Sequence, residues 1–350
     1  MRFGAGLCIL GSAAVLLSAC SKPADGGGHG VKGTSITLAG NSESRPVFEK
    51  GLIPAFQTAY SKDHSGANVD FALSFDSSGA QTRAILGGLK ADVAALSLSP
   101  EIDKLADVGL VSKDWSKEAN HGFPSTSLVV IVVRQGNPKG IKDWFDLQRD
   151  DVDVILPNPD TSGAAQWNVA AIANGEKAEI DLRGARVVGS WKPMNDLDTI
   201  KFFNGIRARV QAFGKSGKEA QQIFSSGSGD VMVGWECEAL DRKAAGDPID
   251  IVYPSITLRM EPPVAVVTPK GAQPNPAAEE FVKFLSTPEA QRIYAQFHYR
   301  PTDPAVIKEV DSTFPKARLD DLLTIDKLGG WPAVQKQLFG PEGLWAKSAE

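Results

Sequence analysis

Past residue 33, short runs of alternating or continuous apolar residues exchange with longer runs whose apolar positions recur at helical spacing. "SITLAG" (35–40), "NVDFALSF" (68–75) and "ADVAALSLS" (91–99) read as strands. Between them, "RPVFEKGLIPAFQTAY" (45–60) and "GAQTRAILGGL" (79–89) read as helices, the first with Pro46 near its start, where proline is tolerated. The same alternation returns later. "SLVVIVVR" (127–134) and "DVDVILPNP" (151–159) are strands, and "TSGAAQWNVAAIANG" (161–175) is a helix closed by Gly175. "RARVQAF" (207–213), "GKSGKEAQQIFSSG" (214–227) and "DVMVGWE" (230–236) repeat strand, helix, strand. "PPVAVVTP" (262–269) is a candidate return crossing, and the chain from 275 onward is helical with proline-marked breaks. Strand-helix units of this length predict an α/β fold with a largely parallel sheet, in two lobes.

The first residues follow another pattern. "MRFGAGLCILGSAAVLLSAC" has one Arg, an apolar run too short to span a membrane comfortably, and then small residues. Residues 1–19 are expected to be a signal peptide. "LSAC" resembles a bacterial lipobox, which implies cleavage before Cys20 and lipidation of its thiol. Residues 20–33, rich in Gly, form a flexible tether. Cys8 would leave with the leader, and Cys237 remains alone, so no internal disulfide is expected in the exported chain.

Composition narrows the chemistry. The formal net charge is -5, which gives no basic footprint for nucleic acid. The four His residues are scattered, and no Cys/His cluster has metal-ligand spacing. No metal and no cofactor is expected. "WECEALD" (235–241) carries Glu236, Glu238 and Asp241 at spacings that read as a solvated acidic helix face. "RVQAFGKS" (209–216) has Arg209 where a phosphate loop needs glycine.

One motif recurs at strand exits: Ser78-Gly79, Ser162-Gly163 and Ser216-Gly217 each open a helix. The first turn of a helix has N–H groups without internal partners and carries partial positive charge. Ser adds a hydroxyl, and Gly lets a ligand approach the backbone. A single copy is explained by capping; three copies at equivalent junctions point to an anion cleft.

In order along the chain, "VRQGNPKGIKDWFDL" (133–147), "PNPDTSGAAQWN" (157–168), "GSGDVMVGWECEAL" (227–240), "YRPTDPAV" (299–306) and "LGGW" (328–331) resemble segments of the sulfate/thiosulfate-binding proteins of bacterial ABC importers. The resemblance implies a type II, two-lobed periplasmic-binding-protein fold with ligand in the cleft between lobes. Lobe I is expected at 34–126 plus 262–350, and lobe II at 127–261. It implies extracytoplasmic binding of inorganic sulfate or thiosulfate, without catalysis, and delivery to the permease and ATPase of an importer. The protein would be a monomer that meets the membrane only through its lipid. By position, the ligand donors would be Ser42, Ser78, Ser162, Gly163, Ala164, Gly217 with Ser216 as the competing choice, and the Trp235 indole. Departures from the family pattern are Ser42 in "NSESR" (41–45), where "YDPTR" is usual, Ala164 for a frequent Gly, and Asp76-Ser77 before Ser78. A site made only of donors leaves the O–H of phosphate unmet, at a cost of roughly 1–3 kcal/mol. That favours sulfate over phosphate, which with molybdate is the alternative ligand, and Asp76 is the acid that would reverse the preference.

Overall fold

The computed structural model describes residues 34–117, 119–184, 196–315 and 322–349. The expected leader, the tether and Cys20 lie outside them.

The opening strand β1 (Thr34–Asn41) leads through a 3-10 turn (Ser42–Ser44) into α1 (Arg45–Val47), a π turn (Phe48–Leu52) and α2 (Ile53–Asp63). The expected single helix over 45–60 is therefore interrupted. Pro54 has no N–H to continue the ladder, and the Ile53 N–H reaches back five residues to the Phe48 carbonyl. Then come β2 (Val69–Asp76), α3 (Ser78–Leu86), β3 (Val93–Ala95) and α4 (Ser99–Asp107). β1 pairs in parallel with both β2 and β3, with Asn41 opposite Asp76 and Gly40 opposite Ala95. The carboxyl ends of the three strands thus reach the same edge.

The second sheet holds β4 (Ser125–Arg134), β5 (Val154–Pro157), β6 (Val210–Gly214), β7 (Val231–Trp235), β8 (Ile249–Val252) and β9 (Arg259–Met260). β5 is parallel to β6 and β7, and β4 is antiparallel to β7, β8 and β9. Its helices are α5 (Gly163–Gly184), α6 (Asp196–Arg207), α7 (Gly217–Ser225) and α8 (Glu236–Ala244). α5 passes through Gly175 instead of ending there. One interior Gly costs a helix about 1 kcal/mol, and the segment it continues is buried throughout Ala164–Ala173 except at Gln166. β10 (Val264–Val266) then crosses back and pairs antiparallel with β3, giving the first sheet the order β10-β3-β1-β2.

The C-terminal stretch carries α9 (Pro276–Phe284), α10 (Pro288–Gln296), β11 (Arg300–Pro301), α11 (Pro304–Val310), α12 (Trp331–Leu338) and α13 (Leu344–Lys347). Proline sits in the first turn of α9 to α12, where its missing N–H costs nothing. β11 pairs with β4 and so ties this stretch to the second sheet.

β4 explains its own continuous apolar run. Leu128, Val130 and Val132 enter one core cluster, while Val129, Ile131 and Val133 enter another, so both faces are buried. The largest cluster includes the rings of Phe48, Phe56, Phe71, Phe281 and Phe284, with Phe281 5.0 Å from both Phe56 and Phe71. Truncating Phe281→Ala is expected to cost about 3–5 kcal/mol of stability through lost burial and an unfilled cavity. Urea unfolding measures it.

Candidate functional site

The Ser-Gly helix starts sit at strand exits, but their groups are used differently. At the α3 start, the Ser78 hydroxyl accepts from the Ser97 N–H at 2.7 Å and donates to the Ser97 hydroxyl at 2.9 Å. It is bonded within the protein. Ser97 follows β3, and its carbonyl accepts from the Trp167 indole at 2.7 Å. These demands end β3 at Ala95, short of the strand expected to 99: the Ser97 backbone serves a side chain at each end instead of a ladder.

α5 begins against this same loop. A Cβ on Gly163 would lie 3.1 Å from Leu98 Cγ and 3.2 Å from Ser97 Cβ, so a larger residue here would push the loop back by a few tenths of an ångström. Ser162 is buried, and its N–H donates to the Asn158 carbonyl at 2.9 Å. The Gly163 and Ala164 N–H groups lie in the first turn, where a helix provides no partner.

At the α7 start, Ser216 is an ordinary N-cap, its hydroxyl accepting from the Glu219 N–H at 3.2 Å. The Gly217 N–H instead donates to Glu43 Oε1 at 3.2 Å. Added to Gly217, a Cβ would stand 3.0 Å from that oxygen and 3.7 Å from the Ala164 methyl. The α5 and α7 starts therefore converge, with the Ala164 methyl against Gly217 and a carboxyl seated between the elements.

Two other expected donors are buried: the Trp235 indole N–H has no partner, and the Ser42 hydroxyl has only the neighbouring Glu43 carboxyl, whose pKa it lowers. Trp235 ends β7 and is 2% exposed. It lines a cavity of about 20 Å³ with Asn41, Ser44, Ala95 and Pro262–Val264, room for one water-sized group. Ser42 follows Asn41 in the turn that leaves β1. Thus the exits of β1, β3 and β7 meet at this cavity, and Glu43, in the turn that leaves β1, connects them to the α7 start.

Glu43 is the group that residue-by-residue reading passed over. It is 7% exposed, and burial raises its carboxyl pKa, opposed by hydrogen bonds from its own backbone N–H, the Ser42 hydroxyl and the Gly217 and Lys218 N–H groups. Its only sequence signal is an acid directly after Ser42. Asp76 does not play this part: it is exposed, and its carboxylate accepts from the Ser77 N–H at 2.6 Å ahead of α3.

α8 corrects the expected solvated acidic face. Because the helix starts directly from β7, its first residue, Glu236, is wholly buried. Arg300 grips Glu236 with two bonds, 2.6 and 2.8 Å, and the Tyr253 hydroxyl donates to it at 2.9 Å. Glu238 is half-buried; desolvation, then the Glu43 charge, pushes its pKa up to about 8. Asp241 pairs with His298. Cys237 is a buried free thiol whose pKa burial raises well above the usual range. Among the described residues, no group of three or more His, Cys, Asp or Glu is placed to hold a metal, and no helix is long and apolar enough to cross a membrane.

Residues 36–300 match the family model described as bacterial extracellular solute-binding protein. The sulfate-binding protein of Escherichia coli K12 is 36% identical over 300 residues, covering 82% of this chain and 85% of that one. The thiosulfate-binding protein of Pseudomonas aeruginosa is 36% identical over 309 residues, covering 85% and 87%. The solved sulfate-binding protein SubI from Mycobacterium tuberculosis H37Rv is 37% identical with a TM-score of 0.76, covering 88% of this chain and all of that one.

Replacing Arg300→Met is expected to leave Glu236 as an unpaired buried charge and to cost about 3–5 kcal/mol. Chemical denaturation of the variant tests this directly.

Proposed function

Since the chain belongs to the bacterial extracellular solute-binding proteins, among the sulfate- and thiosulfate-binding proteins, we propose that it binds sulfate outside the cytoplasm and delivers it to an ABC importer. Its fold is the α/β, type II, two-lobed fold of periplasmic binding proteins. Thiosulfate, with the same tetrahedral shape and charge, is the related ligand. In this role no bond is made or broken.

The observation that carries the reading is the buried, unpartnered Trp235 Nε1, together with the buried Ser42 Oγ that otherwise has only the Glu43 carboxyl to serve. An unmet buried donor is costly, and an anion oxygen satisfies it. The free first-turn N–H groups of Gly163 and Ala164 add donors with the favourable end of the helix dipole. Gly217 serves through its N–H, and Ser216 is retained as its cap. Ser162 offers its hydroxyl. Ser78 acts through Ser97, positioning the loop that α5 packs on, or exchanges that bond for the ligand. Neutral donors in a dry cleft are stronger than in water, which offsets the unfavourable net charge of -5.

The lobes are 34–126 plus 262–350 and 127–261, each centred on one of the two sheets, and closure about the crossing segments encloses the ligand. Membership of β10 in the first sheet supports this division, while β11 fastens part of the C-terminal stretch to the second. The exported protein is a monomer held to a membrane by lipid on Cys20, and its partners are a membrane permease and its ATPase.

Glu43 favours a second reading, a ligand carrying its own proton such as hydrogen phosphate, because a carboxylate beside the donors can accept an O–H.

Titration with sulfate is expected to show one site per chain and to change Trp235 emission as the indole gains a partner. Ser162→Ala is expected to weaken binding by about 1.5–3 kcal/mol, the scale of a hydrogen bond to a charged group. Absence of both heat and thermal stabilisation at millimolar sulfate would sink the proposal. Tighter binding of phosphate than of sulfate would establish the second reading.

A further inference from the structure

Resting on the sulfate-binding reading above, we propose that Glu43 couples anion binding to a proton, so that the site takes up a tetrahedral dianion together with one H+ held on the Glu43 carboxyl.

The geometry sets two negative groups against one set of donors. Glu43 Oε1 already accepts the Gly217 N–H at 3.2 Å, one of the N–H groups offered to the ligand. The carboxyl is closely held. A Cβ at Gly217 would meet its Oε1 at 3.0 Å and its Cγ at 3.5 Å. Its backbone is held as well: the Glu43 carbonyl accepts from the Tyr299 hydroxyl at 3.4 Å, and the Asn41 side chain caps the turn by accepting from the Ser44 N–H at 2.9 Å. A dianion at the neighbouring α5 and α7 starts would face this carboxylate in a largely dry space, where like charges repel strongly. Protonating Glu43 removes the repulsion, frees the Gly217 N–H and turns an acceptor into an O–H donor.

The surrounding groups give the carboxyl hydrogen bonds rather than a countercharge: the Ser42 hydroxyl and the backbone N–H groups of Glu43, Gly217 and Lys218 oppose the effect of burial. Glu238 faces it from α8, with Asp241 and Arg242 nearby on that helix, and Tyr299 faces it from the β11 side. Lys218 on α7 is exposed and contributes through its backbone N–H, and Arg45 in Glu43's own segment is turned to Glu49. Burial already raises the Glu43 pKa, and an adjacent dianion raises it further. Between those two values, sulfate binding draws one proton from solvent onto a Glu43 oxygen, and release returns it. Affinity therefore rises as pH falls through this window, and levels off below the pKa of the free protein.

Calorimetry of the full-length protein with sodium sulfate, in buffers of differing ionisation enthalpy from about pH 5.5 to 8.5, reads the proton directly. The expected result is uptake of up to one proton per sulfate, with affinity rising by up to about tenfold per pH unit lowered. Glu43→Gln is expected to abolish uptake and flatten the profile, binding sulfate at least as tightly as wild type at the alkaline end. Glu238→Gln is expected to retain the uptake but move it to lower pH, since a repelling charge is gone. Sulfate bound without proton uptake overturns the coupling and leaves the sulfate-binding reading intact. Uptake kept in Glu43→Gln and lost in Glu238→Gln also overturns it. Phosphate bound more tightly than sulfate, and lost in Glu43→Gln, makes the carboxyl an acceptor for a ligand proton and overturns the coupling. Sulfate not bound at any pH overturns both.

Discussion

Helix N-termini brought together in a buried region need negative charge or acceptors, because their first N–H groups have none of their own. The α5 and α7 starts meet this way, with the Ala164 methyl 3.7 Å from where a Gly217 Cβ would stand and Glu43 supplying an acceptor from the β1 side. The neighbouring elements serve that meeting. Parallel pairing of β1 with β2 and β3 delivers their exits to one edge, and parallel pairing of β5 with β6 and β7 does the same for the other sheet.

The exits are held in place by polar bonds that a hydrophobic core alone would not direct. Trp167 reaches from α5 to the Ser97 carbonyl, and Ser97 in turn holds Ser78. Trp167 also packs edge-on against Trp331, 4.8 Å away, from the C-terminal stretch. Arg300 reaches from the same stretch to the buried Glu236 at the start of α8, just after Trp235. The two contacts that reach from the C-terminal stretch join residues 64 and more than 160 positions apart, which explains why that stretch bears on the site although none of its proposed donors lies on it.

The site's chemistry is a balance between donors and one acid. Trp235 supplies a buried donor without a partner and Ser42 a buried hydroxyl, while Glu43 uses the Ser42 and Gly217 donors and adds charge. Sulfate and protonated oxyanions weigh that balance differently, because a carboxylate repels an anion oxygen but accepts an O–H. Asp76, though more conspicuous in the sequence beside Ser78, stays in solvent and takes no part in it.

Periodicity alone determined the alternation of strands and helices, the return crossing near 262 and the proline-marked helices after 275, since these depend on local spacing and on residues that lack an N–H. It placed each Ser-Gly pair at a helix start for the same reason. The ordered motifs, read as a resemblance, pointed to the family. What local pattern cannot hold is who meets whom. The early end of β3 follows from Trp167 and Ser78, the continuation of α5 past Gly175 follows a buried helix face, and the π turn follows from Pro54 meeting a packed helix. Glu236 has the spacing of a solvated face, because helical spacing does not say that α8 springs from inside a sheet. Glu43 has no such signal, because an acid after Ser42 gains its meaning only when Gly217, 174 residues away, turns its N–H toward it. Burial and charge are properties of the assembled chain, and only the tertiary structure decided them.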